Sequence, residues 1–274
     1  MSPHTSTTNV STETATKDST PVIELRDIGM TYSSRRESNT VLKGCNLTIG
    51  RGEFVSVVGQ SGGGKTTLLR IISGLLEPTE GSVEVHGRPV RDSLNELAMV
   101  FQKPVLLPWR DNLANVLLPM EFRGKVTAEM REHAHELLDM AGLKDAARRH
   151  PYELSGGMQQ RVAICRALVS NPEIMLMDEP FGALDAMTRD TMNLELLRIW
   201  RETRRSVLFV THSVSEAVFL SNRVVVVGER PGRIIADIAI DLPQPRTKAQ
   251  RYTPEFYEYE QEISALIGAS ESIA

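Results

Sequence analysis

Phe54-Val55-Ser56-Val57-Val58-Gly59-Gln60-Ser61-Gly62-Gly63-Gly64-Lys65-Thr66-Thr67 is the stretch on which the fold turns. Its opening run, Phe54 to Val58, has the apolar character of a strand, and the loop after it fits G-x-x-x-x-G-K-[ST] and leads into an apolar helical run. Strand, glycine loop and helix in that order make a phosphate-binding loop. Gly59, Gln60, Ser61, Gly62, Gly63 and Gly64 let backbone N–H groups close around phosphate oxygens. A helix opening near Lys65 turns its positive dipole end toward the same anion. The Lys65 ammonium is expected on the β- and γ-phosphates, the Thr66 hydroxyl on Mg2+, and Thr67 assisting beside it. A glycine-rich turn that binds nothing would need neither the flanking strand and helix nor the Lys-Thr pair.

Toward the C-terminus, Ile174-Met175-Leu176-Met177-Asp178-Glu179-Pro180 sets two carboxylates after four apolar residues. Such a run without alternation belongs to a central parallel strand covered on both faces, and Val207-Leu208-Phe209-Val210 reads the same way. Open α/β sheets bind ligands at the C-terminal edge of their strands, so both acids are delivered to the phosphate site. Asp178 suits the hold on Mg2+, directly or from behind a ligand, and Glu179 suits orienting and deprotonating the attacking water. Successive side chains of a strand point to opposite faces, which predicts different tasks for the two acids unless the strand has already ended. Without the phosphate loop, the pair would read as a strand entering a solvated turn.

A third motif, Leu154-Ser155-Gly156-Gly157-Met158-Gln159-Gln160-Arg161, runs into an apolar helical stretch. Ser155 can cap that helix while Gly156 and Gly157 expose its N–H groups. This is a second anion-binding helix start in a chain with one phosphate loop, and two copies of the chain would resolve the mismatch.

The rest of the chain frames these motifs. A formal net charge of -4 and a pI near 5.9 create no field that would attract nucleic acid, and none is expected as a partner. Cys45 and Cys165 are isolated and read as reduced, partly buried thiols. No apolar stretch approaches the roughly 18 to 20 residues that cross a bilayer, so the chain is expected neither to span one nor to be exported. Residues 1–20, rich in Ser and Thr, read as a disordered tail. Residues 21–241 read as one ATP-binding domain with strands at 22–28, 54–58, 83–85, 98–101, 174–177, 207–210, 224–227 and 233–240. A helical subdomain is inserted over about 103–155, where Met130, Ala134, Leu137, Leu138 and Ala141 share a helix face. Residues 242–274 form a polar, Tyr- and Glu-rich extension. His133 and His135 face different ways on their helix, and His86 and His150 receive no role.

The ordered combination of these motifs resembles the ATP-binding subunits of ABC transporters from about Val22 to about Ile240. The resemblance implies a P-loop NTPase core with a mixed, mainly parallel sheet, an antiparallel β subdomain and the inserted helical subdomain. It implies ATP as substrate with Mg2+, and catalysis by Glu179, His212 and Lys65. Tyr32 resembles the aromatic that stacks on adenine, and Gln102 the glutamine that senses Mg2+ and permease. Asp185 resembles the D-loop aspartate, and His212 the switch histidine at the γ-phosphate. Ser155, Gly156 and Gly157 match the signature that covers an ATP held by the partner's phosphate loop, so the partner is a second copy of the chain. Met158 stands where the family commonly has Gln, and Gly63 completes three consecutive glycines.

Phe101-Gln102-Lys103-Pro104-Val105-Leu106-Leu107-Pro108-Trp109, with Thr211-His212-Ser213-Val214-Ser215-Glu216-Ala217 and Arg230-Pro231-Gly232-Arg233, is similar to the nitrate, sulfonate and taurine importer group. That likeness implies a transmembrane permease as partner, a periplasmic or extracellular solute-binding protein as an indirect one, and a peripheral position on the cytoplasmic face of the membrane. The apolar residues 105–109 either receive a permease coupling helix or pack under the helical subdomain. An ATPase of the same superfamily acting in DNA maintenance or translation is the alternative. About 90 residues without sustained heptads between Lys65 and Ser155, and a single phosphate loop, weigh against both.

Overall fold

The computed structural model describes residues 21–33 and 37–269, and the tail expected over 1–20 lies outside them. Strands β3 (Phe54–Gly59), β6 (Leu97–Val100), β7 (Ile174–Asp178), β8 (Ser206–Val210), β9 (Arg223–Val227) and β10 (Ile234–Ala239) form one sheet in the order β10-β9-β3-β8-β7-β6. All neighbours pair in parallel except β10 with β9. The loops after β3, β6, β7 and β8 therefore open along one edge, which gathers the motifs.

The continuous apolar strands are explained by two cores. In β3, Phe54 and Val58 face one and Val55 and Val57 the other, and neither face meets water. The first core is closed by helices α4 (Gly156–Leu168), α5 (Ala186–Thr203) and α6 (Val214–Leu220), with Trp200 edge-on to Phe54 at 5.6 Å between ring centroids. The second is closed by α1 (Lys65–Ile72) and an antiparallel sheet ordered β2-β1-β4-β5, from β1 (Ile23–Ser33), β2 (Ser38–Ile49), β4 (Glu80–Val85) and β5 (Arg88–Pro89). Cys45 and Cys165 are both free and buried, and burial pushes the Cys165 thiol up to about 12.

Helices α2 (Asn112–Arg123) and α3 (Ala128–Met140) are capped by Asp111 and Thr127, whose oxygens accept from the N–H groups of Ala114 and Met130. Ala134, Leu137, Leu138 and Ala141 are buried as their spacing predicts, and Met130 is half-buried. α4 packs on both helices, so the helical layer is completed by the helix that the third motif opens.

Besides β5, α5 and α6, two longer-range elements were not read from sequence. β2 is one, because its burial alternates irregularly and is interrupted by exposed Lys43 and Gly44. The other is α7 (Pro254–Ala269), in the polar extension, which docks on α6 and β9 through buried Phe256 and Ile263. Ahead of it, buried Arg246 donates to the carbonyls of Val218 at 2.6 Å and Ser221 at 3.0 Å, closing the C-terminal end of α6. Burial brings that guanidinium down to about 10.

Candidate active site

The site grows from the β3–α1 turn. Gly64, the residue before α1, sits at φ 93°, and a Cβ there would lie 2.6 Å from Leu42 Cδ2. The position demands glycine and brings no side chain to cap α1, so the first-turn N–H groups are left for a ligand. The Lys65 ammonium is buried and donates to the carbonyls of Gly59 and Gln60, both at 2.8 Å. Burial lowers its pKa, while the Glu179 and Asp178 charges work in the opposite direction.

Thr66 Oγ1 donates to Asp178 Oδ1 at 3.0 Å. A hydroxyl and a carboxylate at the foot of a polyphosphate cleft supply the oxygen-only donors that Mg2+ takes, so these residues fit the ion. Burial pushes the Asp178 carboxyl up, the Thr66 hydrogen bond resists, and neighbouring Glu179 adds to the rise.

The two acids fall under the exception to the pleat rule, because the strand has already ended at the second of them. β7 ends at Asp178, and Glu179 adopts φ 44°, a left-handed turn unusual for a residue with a Cβ. The turn brings Glu179 onto the lining of the phosphate-loop cleft, with Asp178 behind Thr66. There Glu179 Oε2 lies 3.2 Å from His212 Nδ1 and accepts from Gln102 Nε2 at 3.3 Å. Three adjacent parallel strands, β6, β7 and β8, thus deliver Gln102, Glu179 and His212 to one point. The Gln102 amide reaches Glu179 and not the Thr66–Asp178 pair.

Tyr32, Ser61, Gly62, Gly64, Lys65, Thr66, Thr67 and Glu179 line one cleft of about 320 Å³, with Tyr32 44% exposed on it. Arg230 also lines this cleft, a residue that sequence reasoning placed only within a subgroup likeness. Its Nε donates to Gly62 O at 2.8 Å. Two residues on, a Cβ on Gly232 would collide with Gly63 O, while the Gly232 N–H donates to Val41 O at 2.8 Å and its carbonyl accepts from Lys43 N at 3.0 Å. The 230–232 segment therefore ties the phosphate loop to β2, a pairing no local spacing announces.

The third motif lies elsewhere. Ser155 caps α4 by accepting from Met158 N at 3.4 Å; Ser155 and Gly156 are exposed, and none of Ser155, Gly156 and Gly157 lines the cleft. A Cβ on Gly157 would lie 2.8 Å from Thr188 Cγ2. Thr188 also donates from Oγ1 to Asp185, which caps α5 by accepting from Thr188 N at 3.1 Å, and these bonds hold the Asp185 carboxyl below its ordinary range. The signature turn and Asp185 are therefore neighbours. Met158 packs inward on the core.

Away from this edge, His86 Nε2 lies 3.4 Å from Glu96 and 3.2 Å from Glu173. Arg88 pairs with Glu96 and Arg51 with Glu173, so the two carboxylates are already neutralised and the group acts as an ion cluster pinning the β4–β5 hairpin to β7. Among the described residues, no helix is long and apolar enough to cross a membrane.

Comparison with known proteins agrees with this geometry. Residues 42–182 match the family model described as ABC transporter. The chain is 50% identical over 226 residues, 82% of its length and 84% of the relative's, to an ABC transporter ATP-binding protein of Methanocaldococcus jannaschii. It is 42% identical over 256 residues, 91% of its length and 96% of the relative's, to the nitrate import ATP-binding protein NrtD of Synechocystis. It is 48% identical over 223 residues, 81% and 76% of the two lengths, to the aliphatic sulfonates import ATP-binding protein SsuB 1 of Agrobacterium fabrum. Among solved structures, the ATP-binding cassette MJ0796, a dimer in a post-hydrolysis state bound to ADP and Pi, superposes with a TM-score of 0.70 at 37% identity, covering 81% of this chain and all of that one.

Proposed function

The chain belongs to the ATP-binding family of ABC transporters, whose members couple ATP hydrolysis to transport, and from that premise we propose that it energises import of a small anionic or polar solute such as nitrate, a sulfonate or taurine. The observation that carries the reading is the split between a cleft lined by Lys65, Thr66 and Glu179, with Gln102 and His212 bonded to Glu179, and a signature turn, exposed at Ser155 and Gly156, that does not line it. Two copies closing head-to-tail give each cleft the Ser155 to Gly157 turn of the other copy.

In this reading adenine stacks on Tyr32, and the triphosphate takes the α1 N–H groups and the Lys65 ammonium. Thr66 and Asp178 hold Mg2+, which offsets charge on the phosphates when bound. Glu179 orients water and takes its proton, while His212 and Gln102 hold the Glu179 carboxylate in place. ATP binding favours the closed dimer because the signature turn adds contacts only there, and hydrolysis removes that differential affinity.

The permease docks on residues 105–109. Arg166 donates to the carbonyls of Pro104 and Val105, both at 2.8 Å, and Asn115 binds both backbone groups of Leu107. The backbone is thus fixed while Val105 is 60% and Trp109 72% exposed. A rigid loop that presents apolar side chains to solvent favours docking over packing under the helical subdomain, where only Leu106 turns inward. Gln102 stands between this loop and Glu179, and the subunit sits on the cytoplasmic face of the membrane. Co-purifying the permease and its solute-binding protein, then titrating that protein with nitrate, taurine and alkanesulfonates, tests the reading. Binding of none of them, with binding of an unrelated solute, would replace the substrate class.

A further inference from the structure

Behind His212 lies a charge cluster that no hydrolytic step uses. Thr211 Oγ1 donates to Glu216 Oε2 at 2.6 Å and accepts from Ser213 N at 3.0 Å, so both neighbours of His212 are tied to one carboxylate. Glu216 is 5% exposed. Its Oε1 lies 3.5 Å from Arg189 Nε, and Arg189 Nη2 donates to the carbonyl of Leu184, the residue before Asp185. Arg251 arrives from the C-terminal segment: its Nη1 donates to Asp190 Oδ1 at 2.8 Å, and its guanidinium lies 4.3 Å over the Phe219 ring. Burial raises the Glu216 carboxyl, and Thr211, Arg189, His212 and Arg251 all act to keep it ionised. The cluster therefore joins three parts of the chain: the His212 turn, the Asp185 helix start and the extension that carries α7.

We propose that Glu216 is a positioning residue for His212, and that Arg251 makes the C-terminal segment part of this device, so that the segment sets the rate of ATP hydrolysis. The proposal rests on the reading of Glu179 and His212 as hydrolytic groups. A buried carboxylate stays ionised only while its cations remain in place. Removing Arg251 leaves Glu216 with Arg189 and His212, frees Asp190 beside Arg189 and unpins Phe219 one turn from Glu216, and the Thr211–Ser213 turn relaxes with its anchor. A shift of about 1 Å at a catalytic group is enough to lower turnover by up to roughly a hundredfold.

Steady-state ATPase of the full chain, measured over a range of ATP together with thermal melting, tests this with Arg251→Met, Arg251→Lys, Glu216→Gln, Asp190→Asn and His212→Ala. Arg251→Met is expected to lower kcat about tenfold with KM for ATP unchanged, and Arg251→Lys to restore most of it. Glu216→Gln is expected to fall at least as far, with Arg251→Met adding little in the double variant, and Asp190→Asn to fall less. Parental kcat in folded Arg251→Met, equal loss in the Lys and Met variants, or activity lost only in proportion to folded protein would each overturn the proposal. Failure of the underlying reading shows separately, as parental turnover in His212→Ala.

Discussion

The starts of α1 and α4 both hold an anion in the proposed function, and they are finished in opposite ways. At α1 the residue before the helix is a glycine, the first side chain is a buried cation, and a cleft encloses the N–H groups. At α4 a serine already occupies the cap, the turn faces solvent, and the supporting side chain, Thr188, belongs to the helix that Asp185 opens. One start is complete within its own polypeptide. The other, in the proposed dimer, meets a ligand held by another molecule. Hydrogen-bond capacity makes an anion site possible, but the groups around it decide whether it is used at home or away.

The largest effect that would test this contrast is chemical. Glu179→Gln should lower turnover by roughly 10²- to 10⁴-fold while ATP still binds and holds a dimer on size exclusion; parental hydrolysis would remove Glu179 from the role of base. Next, Lys65→Ala and Ser155→Arg should each be inactive alone, yet an equal mixture should recover about one quarter of parental activity. Half the random dimers would then hold one cleft and one signature turn that are both intact, and sites that do not interact add. No recovery would mean that each cleft works with its own α4. Nucleotide affinity by calorimetry sharpens the point: Lys65→Ala should bind roughly 10- to 100-fold more weakly, and Ser155→Ala monomers as the parent does.

A smaller effect concerns stability. The Asp178 carboxyl is raised in the folded state, so its contribution to stability is fully present below its ordinary pKa and is lost as pH rises through the folded one. Asp178→Asn should therefore melt above the parent near pH 7, with the gap closing toward about pH 4, while hydrolysis falls. Equal melting at both pH values would show that burial of that carboxylate costs nothing. The smallest expected effect is on thiol chemistry: Cys45 and Cys165, buried with raised pKa values, should resist iodoacetamide until the chain unfolds, and fast labelling of either would contradict the packing of the cores.

The legibility of these features follows from how local their cause is. β3, β7 and β8 could be read because both faces of each are buried, and the phosphate loop because its strand, glycines and helix are contiguous. β2 escaped because a strand with one solvated face and an exposed Lys43-Gly44 step carries a weaker pattern. α7 escaped because Phe256 and Ile263 are its only buried residues. The meeting of Gln102, Glu179 and His212 depends on strand order, which adjacent residues do not encode, and the family resemblance named the three without their contacts. The left-handed turn at Glu179 realises the exception that the pleat argument allowed, since a rule for residues inside a strand does not reach past its last position.

The two carbonyls gripped by the Lys65 ammonium take two of its three N–H donors. The third is left for a ligand, so the loop's own backbone holds the cation at a fixed aim, and a phosphate that uses it forfeits neither bond. Lysine thus serves here as a tether as much as a charge, a double duty that the planar fork of an arginine would not reproduce.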